Sequence, residues 1–412
     1  MNKEIKQGYK QTKVGIIPKD WEVVKLGKVT KINPNNKNLP ENFIYIDLES
    51  VVKGKLLKQN FISKHEAPSR AQRVLKKNDI LFQMVRPYQM NNLFFEFDGN
   101  YVASTGYAQI RTNQSDKYIF QYIHLKRFVD KVLEKCTGSN YPAINSSDLS
   151  DILIILPPLK EQEKIAEILT TWDEAITKQT ELLRAKELQK KGLIQKLLSG
   201  EVRFRGFSDE WEDIRLGQLP LIVSDGNYGE MYPKSEDFKD LGVPFLRANN
   251  IKNLSIDSSD TKYISNEQHL LLTSGHLRTN DILITTRGDI GNIALVDSRF
   301  ENANINAQIC LIRIRDNSKV YYRFLLYFLD SVYCKSQYKE LETGSALKQL
   351  PKGNLAKLKI KLPSLPEQQK IAEVLSLADD EINLLKNELE KLNLQKKALM
   401  QKLLTGQVRV KV

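Results

Sequence analysis

The sequence predicts an α/β chain of the α+β type, in which two similar globular domains are joined by two long helices that form an antiparallel coiled coil. The first observation is a repeat. The segment L-P-P-L-K-E-Q-E-K-I-A-E-I-L at residues 156–169 returns 206 residues later as L-P-S-L-P-E-Q-Q-K-I-A-E-V-L at residues 362–375, and 206 is half of the 412-residue chain. The second is a heptad pattern, because apolar residues after each copy recur in alternating steps of four and three.

The two predicted helices carry the same ladder of positions. Polar residues interrupt it at Gln179, Lys186 and Lys190 in the first copy and at Lys396 in the second. A proline near each start and a glycine just past each end, Gly200 and Gly406, suit the two ends of a helix. The residues predicted to pair the helices are Ile165, Leu169, Trp172, Ile176, Leu183, Leu193, Leu197, Ile371, Leu375, Ile382, Leu385, Leu389, Leu392, Leu399 and Leu403.

Two arrangements satisfy such ladders. Each helix could pack separately on its own domain, as unrelated amphipathic helices do. Two ladders of equal length in one chain favour pairing with each other. At about 1.5 Å per residue, the roughly 32 residues between the first and last ladder positions make an arm of roughly 48 Å, which suits a spacer between domains.

The charge of the chain is concentrated outside these helices. The net charge is +12, but residues 160–198 carry eight basic and seven acidic residues, and residues 366–404 carry six and seven. Basic globular domains on a neutral arm favour a polyanionic partner. Three cysteines without a C-x-x-C pair favour a reducing cytoplasm, and no segment has the apolar length of a membrane span.

Each half also has matching landmarks in its globular part. W-E-V-V-K-L-G at residues 21–27 returns as W-E-D-I-R-L-G at residues 211–217, and T-G-S at 137–139 returns at 343–345. Short apolar runs such as residues 43–46, 80–82 and 282–284 predict strands. Residues 120–133 and 321–333 predict one short helix in each half. A strand at residues 152–156 and another at 358–362 lead into the long helices.

Motifs of catalysis are absent from the sequence. It contains no phosphate-binding loop of the G-x-x-x-x-G-K-[ST] type, and its four histidines show no metal-ligand spacing. Residues 33–36 lack the Pro-aromatic ending of an amino-methyltransferase site. The sequence therefore predicts a non-catalytic chain with no catalytic or metal residues.

Polar and planar side chains instead follow predicted strands in both halves. Arg can read guanine and Asn or Gln can read adenine, while Ser or Thr beside Gly can bring backbone N–H groups to phosphate. Each residue alone could equally be a solvated loop residue. The candidates for DNA contact are Arg70, Gln83, Arg86, Tyr88, Gly138, Ser139, Asn140 and Tyr141 in the first half, and Arg247, Asn249, Asn250, Thr286, Arg287, Asn306, Gln308, Gly344, Ser345 and Lys348 in the second.

These landmarks resemble a known family. The L-P-x-L-x-E-Q-x-K-I-A-E-[IV]-L segment, the Q-K-L-L-[ST]-G ending, the W-E-x-x-[KR]-L-G opening and the T-G-S turn are similar to those of the specificity (S) subunit of type I restriction-modification systems. The resemblance covers both halves. It implies target recognition domains at residues 1–155 and 201–361, with spacer helices at residues 156–200 and 362–412.

The resemblance also implies partners and a division of labour. Each target recognition domain would read half of a bipartite, asymmetric DNA sequence. The helices would set the spacing and dock methyltransferase (M) subunits, two in number, and two restriction (R) subunits would cut. The chain would bind no cofactor, since S-adenosylmethionine, ATP and magnesium would be used by the other subunits.

Two other classes of function stay open at this point. A globular half could hold an unrecognised active site, as in a single-chain restriction-modification enzyme. Alternatively, the chain could be a coiled-coil scaffold that binds only protein.

Overall fold

The computed structural model describes residues 5–35, 38–226 and 231–412, and it divides into two compact units. Unit 1 comprises Met1–Glu181 and Asn387–Val412, and unit 2 comprises Leu182–Lys386. The boundary between them falls within both long helices. The division at residues 155, 200 and 361 follows sequence landmarks and stays a prediction.

Unit 1 is built on two four-stranded sheets. One has the strand order β11-β10-β13-β4 and is antiparallel, and the other has the order β8-β5-β12-β9, with β5 and β12 parallel. Three two-stranded ladders, β1-β2, β6-β7 and β3-β14, complete it. Its strands are β1 Tyr9–Thr12, β2 Gly15–Pro18, β3 Glu22–Lys25, β4 Thr30–Ile32, β5 Asn42–Ile46, β6 Val51–Val52, β7 Lys55–Leu56, β8 Asn60–Ser63, β9 Ala71–Val74, β10 Ile80–Gln83, β11 Leu93–Phe94, β12 Tyr101–Ser104, β13 Tyr107–Thr112 and β14 Leu153–Leu156.

Unit 2 repeats the core of this topology with one strand fewer in its second sheet. Its sheets run β22-β21-β24-β16 and β20-β17-β23, the latter with β17 and β23 parallel, and β15 pairs with β25 as β3 pairs with β14. Its strands are β15 Glu212–Arg215, β16 Leu221–Asp225, β17 Val243–Leu246, β18 Ile251–Lys252, β19 Ser255–Ile256, β20 Lys262–Ile264, β21 Ile282–Thr285, β22 Ile293–Leu295, β23 Asn304–Ile305, β24 Ile309–Ile314 and β25 Lys359–Leu362.

The short helix predicted in each half is two helices in the structure. Ser331 ends the first and caps the second in unit 2, where its hydroxyl accepts a hydrogen bond from the Cys334 N–H. In unit 1 the break falls at Leu125, which is extended and buried. Neither window contains a proline or glycine, so the sequence gives no strong signal of the break. The short helices are α1 Leu26–Val29, α2 Asp116–Tyr122, α3 Lys126–Glu134, α4 Ser146–Ser150, α6 Asn266–Leu271, α7 Tyr322–Asp330, α8 Val332–Leu341 and α9 Lys352–Leu355.

The long helices are α5, Leu159–Ser199, and α10, Leu365–Leu404. Gly200 and Gly406 follow them with φ of 76° and 73°, the left-handed turn that ends a helix. Every ladder position named above, apolar or polar, is buried or half-buried in both helices, whereas most positions between them are exposed. Among the described residues no helix is long and apolar enough to cross a membrane.

Polar contacts in each unit show that α5 and α10 run antiparallel. In unit 1, Lys396 contacts Asp173 at 2.5 Å and Gln179 donates to Glu388 at 3.0 Å, so later residues of α5 meet earlier residues of α10. In unit 2, Lys190 pairs with Asp379 in the same sense. The two lysine–aspartate pairs occupy repeat-equivalent positions, 206 residues apart. The three lysines that interrupt the ladder are therefore ion-paired across the helices, and Gln179 is hydrogen-bonded across them.

The ends of the long helices complete the core of each unit. In unit 1, Leu403 and Leu404 from the end of α10 join the core around Trp21, with Ile165 and Leu169 from the start of α5. In unit 2, the end of α5 and the start of α10 make the equivalent contribution around Phe324.

A buried carboxylate anchors the start of each long helix. Glu367 accepts hydrogen bonds from the Trp211 indole at 3.1 Å and from the Arg203 guanidinium at 2.7 and 2.9 Å. In unit 1, Glu161 accepts from the Trp21 indole at 3.2 Å and pairs with Arg409.

Candidate nucleic-acid interface

The loop that carries the T-G-S turn in unit 1, residues 137–143, is a closed ring with an exposed tip. Thr137 and Ala143 exchange backbone hydrogen bonds of 2.9 and 3.0 Å across its base. Gly138 has a φ of 92°, and a Cβ there would lie 3.2 Å from the Tyr141 carbonyl oxygen, so the turn favours glycine. Ser139, Asn140 and Tyr141 are exposed at the tip.

Arg86 lies against this loop in a strained conformation. Its φ is 55°, a region that non-glycine residues rarely occupy, and the proline that follows restricts it further. Its N–H donates to the Pro142 carbonyl at 2.7 Å, and its guanidinium lies 4.1 Å from the Tyr141 ring centroid. Counted from the equivalent strands β10 and β21, the matching position in unit 2 is Gly288, with a φ of 76°. The same left-handed backbone conformation is therefore strained in unit 1, where the residue is arginine, and unstrained in unit 2, where it is glycine.

The remaining candidates of unit 1 lie in different settings. Gln83 is buried, with its amide donating to Gln89 at 2.9 Å and accepting from the Asn91 N–H at 3.0 Å, so it organises the following loop rather than facing solvent. Tyr88 is 49% exposed in a single 3-10 turn of that loop. Arg70 is exposed where the chain enters β9, in the other sheet.

The matching loop of unit 2, residues 343–349, has the same construction. Thr343 and Gln349 exchange hydrogen bonds of 2.8 and 2.9 Å, and Gly344 has a φ of 91° with the Leu347 carbonyl oxygen 2.5 Å from a Cβ position. Ser345 and Lys348 are exposed, and Lys348 pairs with Glu342 at 3.1 Å. The same loop is thus built twice, with different side chains at its tip.

Unit 2 also contains a polar cleft of about 750 Å³ that brings distant candidates together. Five of them line it, although they come from three separate segments of the chain. They are Arg247, Asn249, Arg287, Asn306 and Gln308. Loop 343–349 lies beside this cleft, because Gln349 forms a β-bridge with Arg287.

Three candidates of unit 2 are buried and bonded within the protein. Asn250 accepts from the Arg247 N–H at 2.9 Å and donates to the Asp257 carbonyl at 2.9 Å. Thr286 donates to the Gln308 carbonyl at 3.2 Å, and Asn306 donates to the Gln308 side chain at 3.0 Å. Asn250 and Thr286 therefore shape the cleft, while Asn306 holds Gln308 at its wall.

Sequence reasoning missed several residues of the cleft. Lys252, Asn253, Asp289 and Asn292 also line it. The run N-N-I-K-N at residues 249–253 continues the polar segment that was recognised, and this continuity is the signal that could have found Lys252 and Asn253.

The charges that line the cleft favour an anion. Three lining residues are basic, Arg247, Lys252 and Arg287, and one is acidic, Asp289, while Asp257 behind the lining pairs with Lys252 at 3.0 Å. Arg247 is held by Asp260, to which it donates at 2.6 Å, and this hydrogen bond and charge lower the pKa of Asp260. Guanidinium and amide groups held in this way match phosphates and base edges. In the part of the chain that is described, no group of three or more His, Cys, Asp or Glu side chains could hold a metal ion.

The chain thus contains two domains of similar topology. Each domain has a polar surface and includes part of the antiparallel helix pair, so the protein is of the twin-domain class. Comparison with known families places the chain within that class. The model of the type I restriction modification DNA specificity domain matches residues 18–185 and again residues 208–394. The chain therefore belongs to the type I restriction-modification DNA specificity family. The predicted family and fold class are both confirmed.

Relatives of full length carry the same description. The putative type I restriction enzyme MjaX specificity subunit of Methanocaldococcus jannaschii is 27% identical, with 98% of this chain and 97% of the relative covered. The MjaVIII specificity subunit of the same organism is 29% identical, with 96% and 94% covered.

Solved structures share the fold. The type I restriction-modification system S subunit from M. genitalium aligns with a TM-score of 0.61 at 17% identity, covering 93% of this chain and 96% of that one. A chain from work on complex assembly and conformational transition of the type I R-M system aligns with a TM-score of 0.57 at 23% identity, covering 95% and 99%.

Proposed function

We propose that this chain is the DNA-reading, non-catalytic subunit of a type I restriction-modification complex. Each globular domain reads one half of a bipartite, asymmetric target, and α5 and α10 set the spacing and dock two M subunits. Two R subunits cut, and S-adenosylmethionine, ATP and magnesium are used by those other subunits. The cytoplasm remains the predicted location.

One observation carries this proposal. The closed loop at 137–143 and the one at 343–349 occupy the same place in two domains of one topology, next to arginines and amides. Two copies of one reading surface with different side chains suit two half-sites of different sequence. In unit 2 the residues assigned to reading are Arg247, Asn249, Arg287 and Gln308, and Lys252 is assigned to phosphate.

The first experiment separates reading from catalysis. Purified chain is incubated with DNA, S-adenosylmethionine, ATP and magnesium, with and without its M subunit. The chain alone should leave the DNA unchanged, and adding the M subunit should give methylation at a bipartite site. Methyl transfer or cleavage by the chain alone would support the single-chain enzyme instead, and no retention on DNA at any salt concentration would support the protein-binding scaffold.

The second experiment separates base reading from phosphate contact within the cleft. Arg287→Ala should cost about 1–3 kcal/mol of binding and relax one position of the second half-site. Lys252→Ala should weaken binding to all sequences alike and reduce the salt slope by about 1. Arg299→Ala removes an exposed arginine that is paired with Asp297, and it serves as the control. Equal loss for all three variants would contradict the assignment of the cleft.

A further inference from the structure

The tip of each closed loop displays an apolar side chain to solvent. Tyr141 is 64% exposed and Leu347 is 89% exposed. The two residues are repeat-equivalent, 206 positions apart, and they lie in separate units. A large side chain that is this exposed at a loop tip gains little from burial in the protein itself, and here it occurs at the same point of both domains.

Both tips are held stiffly. Paired backbone hydrogen bonds close each loop at its base, between Thr137 and Ala143 and between Thr343 and Gln349. In each loop the glycine has a positive φ, and a Cβ there would lie close to the backbone carbonyl of the tip residue, Tyr141 or Leu347. In unit 1 the Arg86 guanidinium also packs on the Tyr141 ring. The backbone of each tip is therefore ordered before any partner arrives, and in unit 1 the Tyr141 ring is held as well, which reduces the entropy lost on binding.

The surroundings of the tips point to DNA as the partner. Neither loop contains an acidic residue, and beside the tip residues their exposed side chains include the hydrogen-bonding Ser139, Asn140 and Ser345. Lys348 adds a positive charge, which is paired with Glu342 just before the loop. In unit 2 the loop adjoins the basic cleft through Arg287. Proteins that deform a duplex insert apolar side chains between base steps while basic and polar groups hold the backbone on either side.

We propose that Tyr141 and Leu347 are wedges that enter the duplex between base pairs, one at each half-site, and locally unstack it. This deepens the proposed function and rests on it. Each wedge adds specificity without a hydrogen bond, because the cost of opening a base step depends on its sequence. Pyrimidine–purine steps, which open most easily, are the expected points of entry.

The test uses the full chain with its M subunit and a duplex that carries the target mapped by methylation. 2-Aminopurine is placed at successive positions of each half-site, and its fluorescence rises where a neighbour unstacks. Wild type should give one position of strong signal in each half-site. Tyr141→Ser should abolish the signal in the half-site read by unit 1 only, and Leu347→Ala should abolish it in the other only. Each should weaken specific binding roughly tenfold, the scale of losing one base-stacking side chain.

Matched variants keep the result interpretable. Tyr141→Phe and Leu347→Met retain a wedge and should retain the signal. Phe61→Ala and Leu241→Ala, which truncate exposed apolar side chains of units 1 and 2 outside the closed loops, the cleft and the long helices, should change neither signal nor affinity. Since Tyr141 and Leu347 are exposed, thermal unfolding of their variants should match wild type.

The outcomes separate the wedge from the function on which it rests. Specific binding by wild type without any 2-aminopurine signal overturns the wedge and leaves the proposed function standing. The wedge is also overturned if Tyr141→Ser and Leu347→Ala keep the 2-aminopurine signal but no longer retain the M subunit. The loop tips would then contact protein and not DNA. Absence of sequence-specific binding by the wild-type complex overturns the proposed function itself.

Discussion

Glu161 and Glu367 are almost fully enclosed, and each is held by one tryptophan and one arginine. The glutamines that follow them are equally buried, and each donates to the carbonyl of the proline that precedes its helix. The letters E-Q of the repeated motif are thus structural. They fix where a long helix leaves its domain.

Removing the arginine from this arrangement should be costly. Arg203→Met leaves the buried Glu367 carboxylate with the Trp211 indole but without a positive charge, so the loss of stability should clearly exceed that of breaking an exposed pair. Hydrogen exchange of the β25 amides measures it within unit 2. The control is Arg299→Met, which breaks an exposed pair and should cost less than about 1 kcal/mol. A small loss at Arg203 would mean that water replaces the guanidinium.

Arg86 should show a trade between stability and binding. Arg86→Gly relieves the left-handed backbone, as the unit 2 equivalent Gly288 does, and should raise the free energy of unfolding by up to about 1 kcal/mol. Because the guanidinium is lost, DNA binding should weaken. Chemical denaturation and a binding titration on the same preparation test both parts. A variant that is less stable would show that the packing of Arg86 on Tyr141 outweighs the strain.

His124 should make unit 1 sensitive to acid. The pKa of His124 is lowered from 6.5, chiefly because the ring is buried and also because Lys396 is near. The hydrogen bond to the Phe120 carbonyl and the charge of Asp173 act in the opposite direction but are outweighed. Nδ1 lies 2.7 Å from the Phe120 carbonyl oxygen and Nε2 lies 3.2 Å from the Asn92 amide nitrogen, which suits a neutral ring donating at Nδ1 and accepting at Nε2. A proton on Nε2 would face another donor.

The direction of the pH effect follows from that lowered pKa. The folded chain binds the proton less readily than the unfolded chain, so the stabilisation is complete above about pH 6.5 and is lost as the pH falls through the folded-state pKa. His124→Gln should flatten the fall of unit 1 stability below pH 6.5. Calorimetry across pH 5–8 measures this, with His65→Gln as the control for losing an exposed imidazole. If the stability of wild type and of His124→Gln fell with pH in the same way, His124 would not be the source of the acid sensitivity.

At the scale of elements, the helix pair depends on two kinds of contact. Apolar ladder residues such as Ile382 are buried, and the polar ladder positions Lys190 and Lys396 find aspartates on the facing helix. Periodicity alone predicted the helices and the ladder. It did not predict that Lys190 and Lys396 would be ion-paired, because each aspartate lies on the other helix, more than 180 residues away along the chain.

A matched pair of substitutions tests the ladder. Ile382 is 5% exposed and Leu384, two residues on, is 64% exposed. Ile382→Glu should lower the free energy of unfolding by several kcal/mol, because it buries a charge without a partner. Leu384→Glu should stay within about 0.5 kcal/mol of wild type. Thermal unfolding of both variants measures the difference. Equal losses of stability would mean that the ladder residues do not form the helix interface.

The globular parts were less accessible to sequence reasoning. The loop with the T-G-S turn and the arginine and amide segments were recognisable as polar groups after strands. Their assembly into a cleft was not, because residues 247–253, 287–292 and 306–308 meet only through the order of the strands. The burial of Asn250 and Thr286 was equally hidden, since an amide that shapes a loop and one that reads a base look alike in sequence.

At the scale of the whole molecule, the two domains should be exchangeable readers. Replacing residues 211–361 by the matching segment of a relative leaves both long helices of the chain in place. The half-sequence read by unit 1 should persist, the other half should change, and the number of unread base pairs between them should stay the same. Genome-wide mapping of methylated adenines, in cells that carry the chimera and its M subunit, measures all three. A changed spacer would mean that the helices do not set the distance.

The discontinuous make-up of unit 1 has a consequence during protein synthesis. Unit 2 is one continuous stretch, whereas unit 1 needs Leu403, Leu404 and Arg409 to close its core and to pair with Glu161. The ribosome delivers those residues after the whole of unit 2. The first domain to emerge is therefore the last that can be completed, which reverses the usual N-terminal-first order of folding. A product whose translation stops early would carry a finished second reader and an open first one.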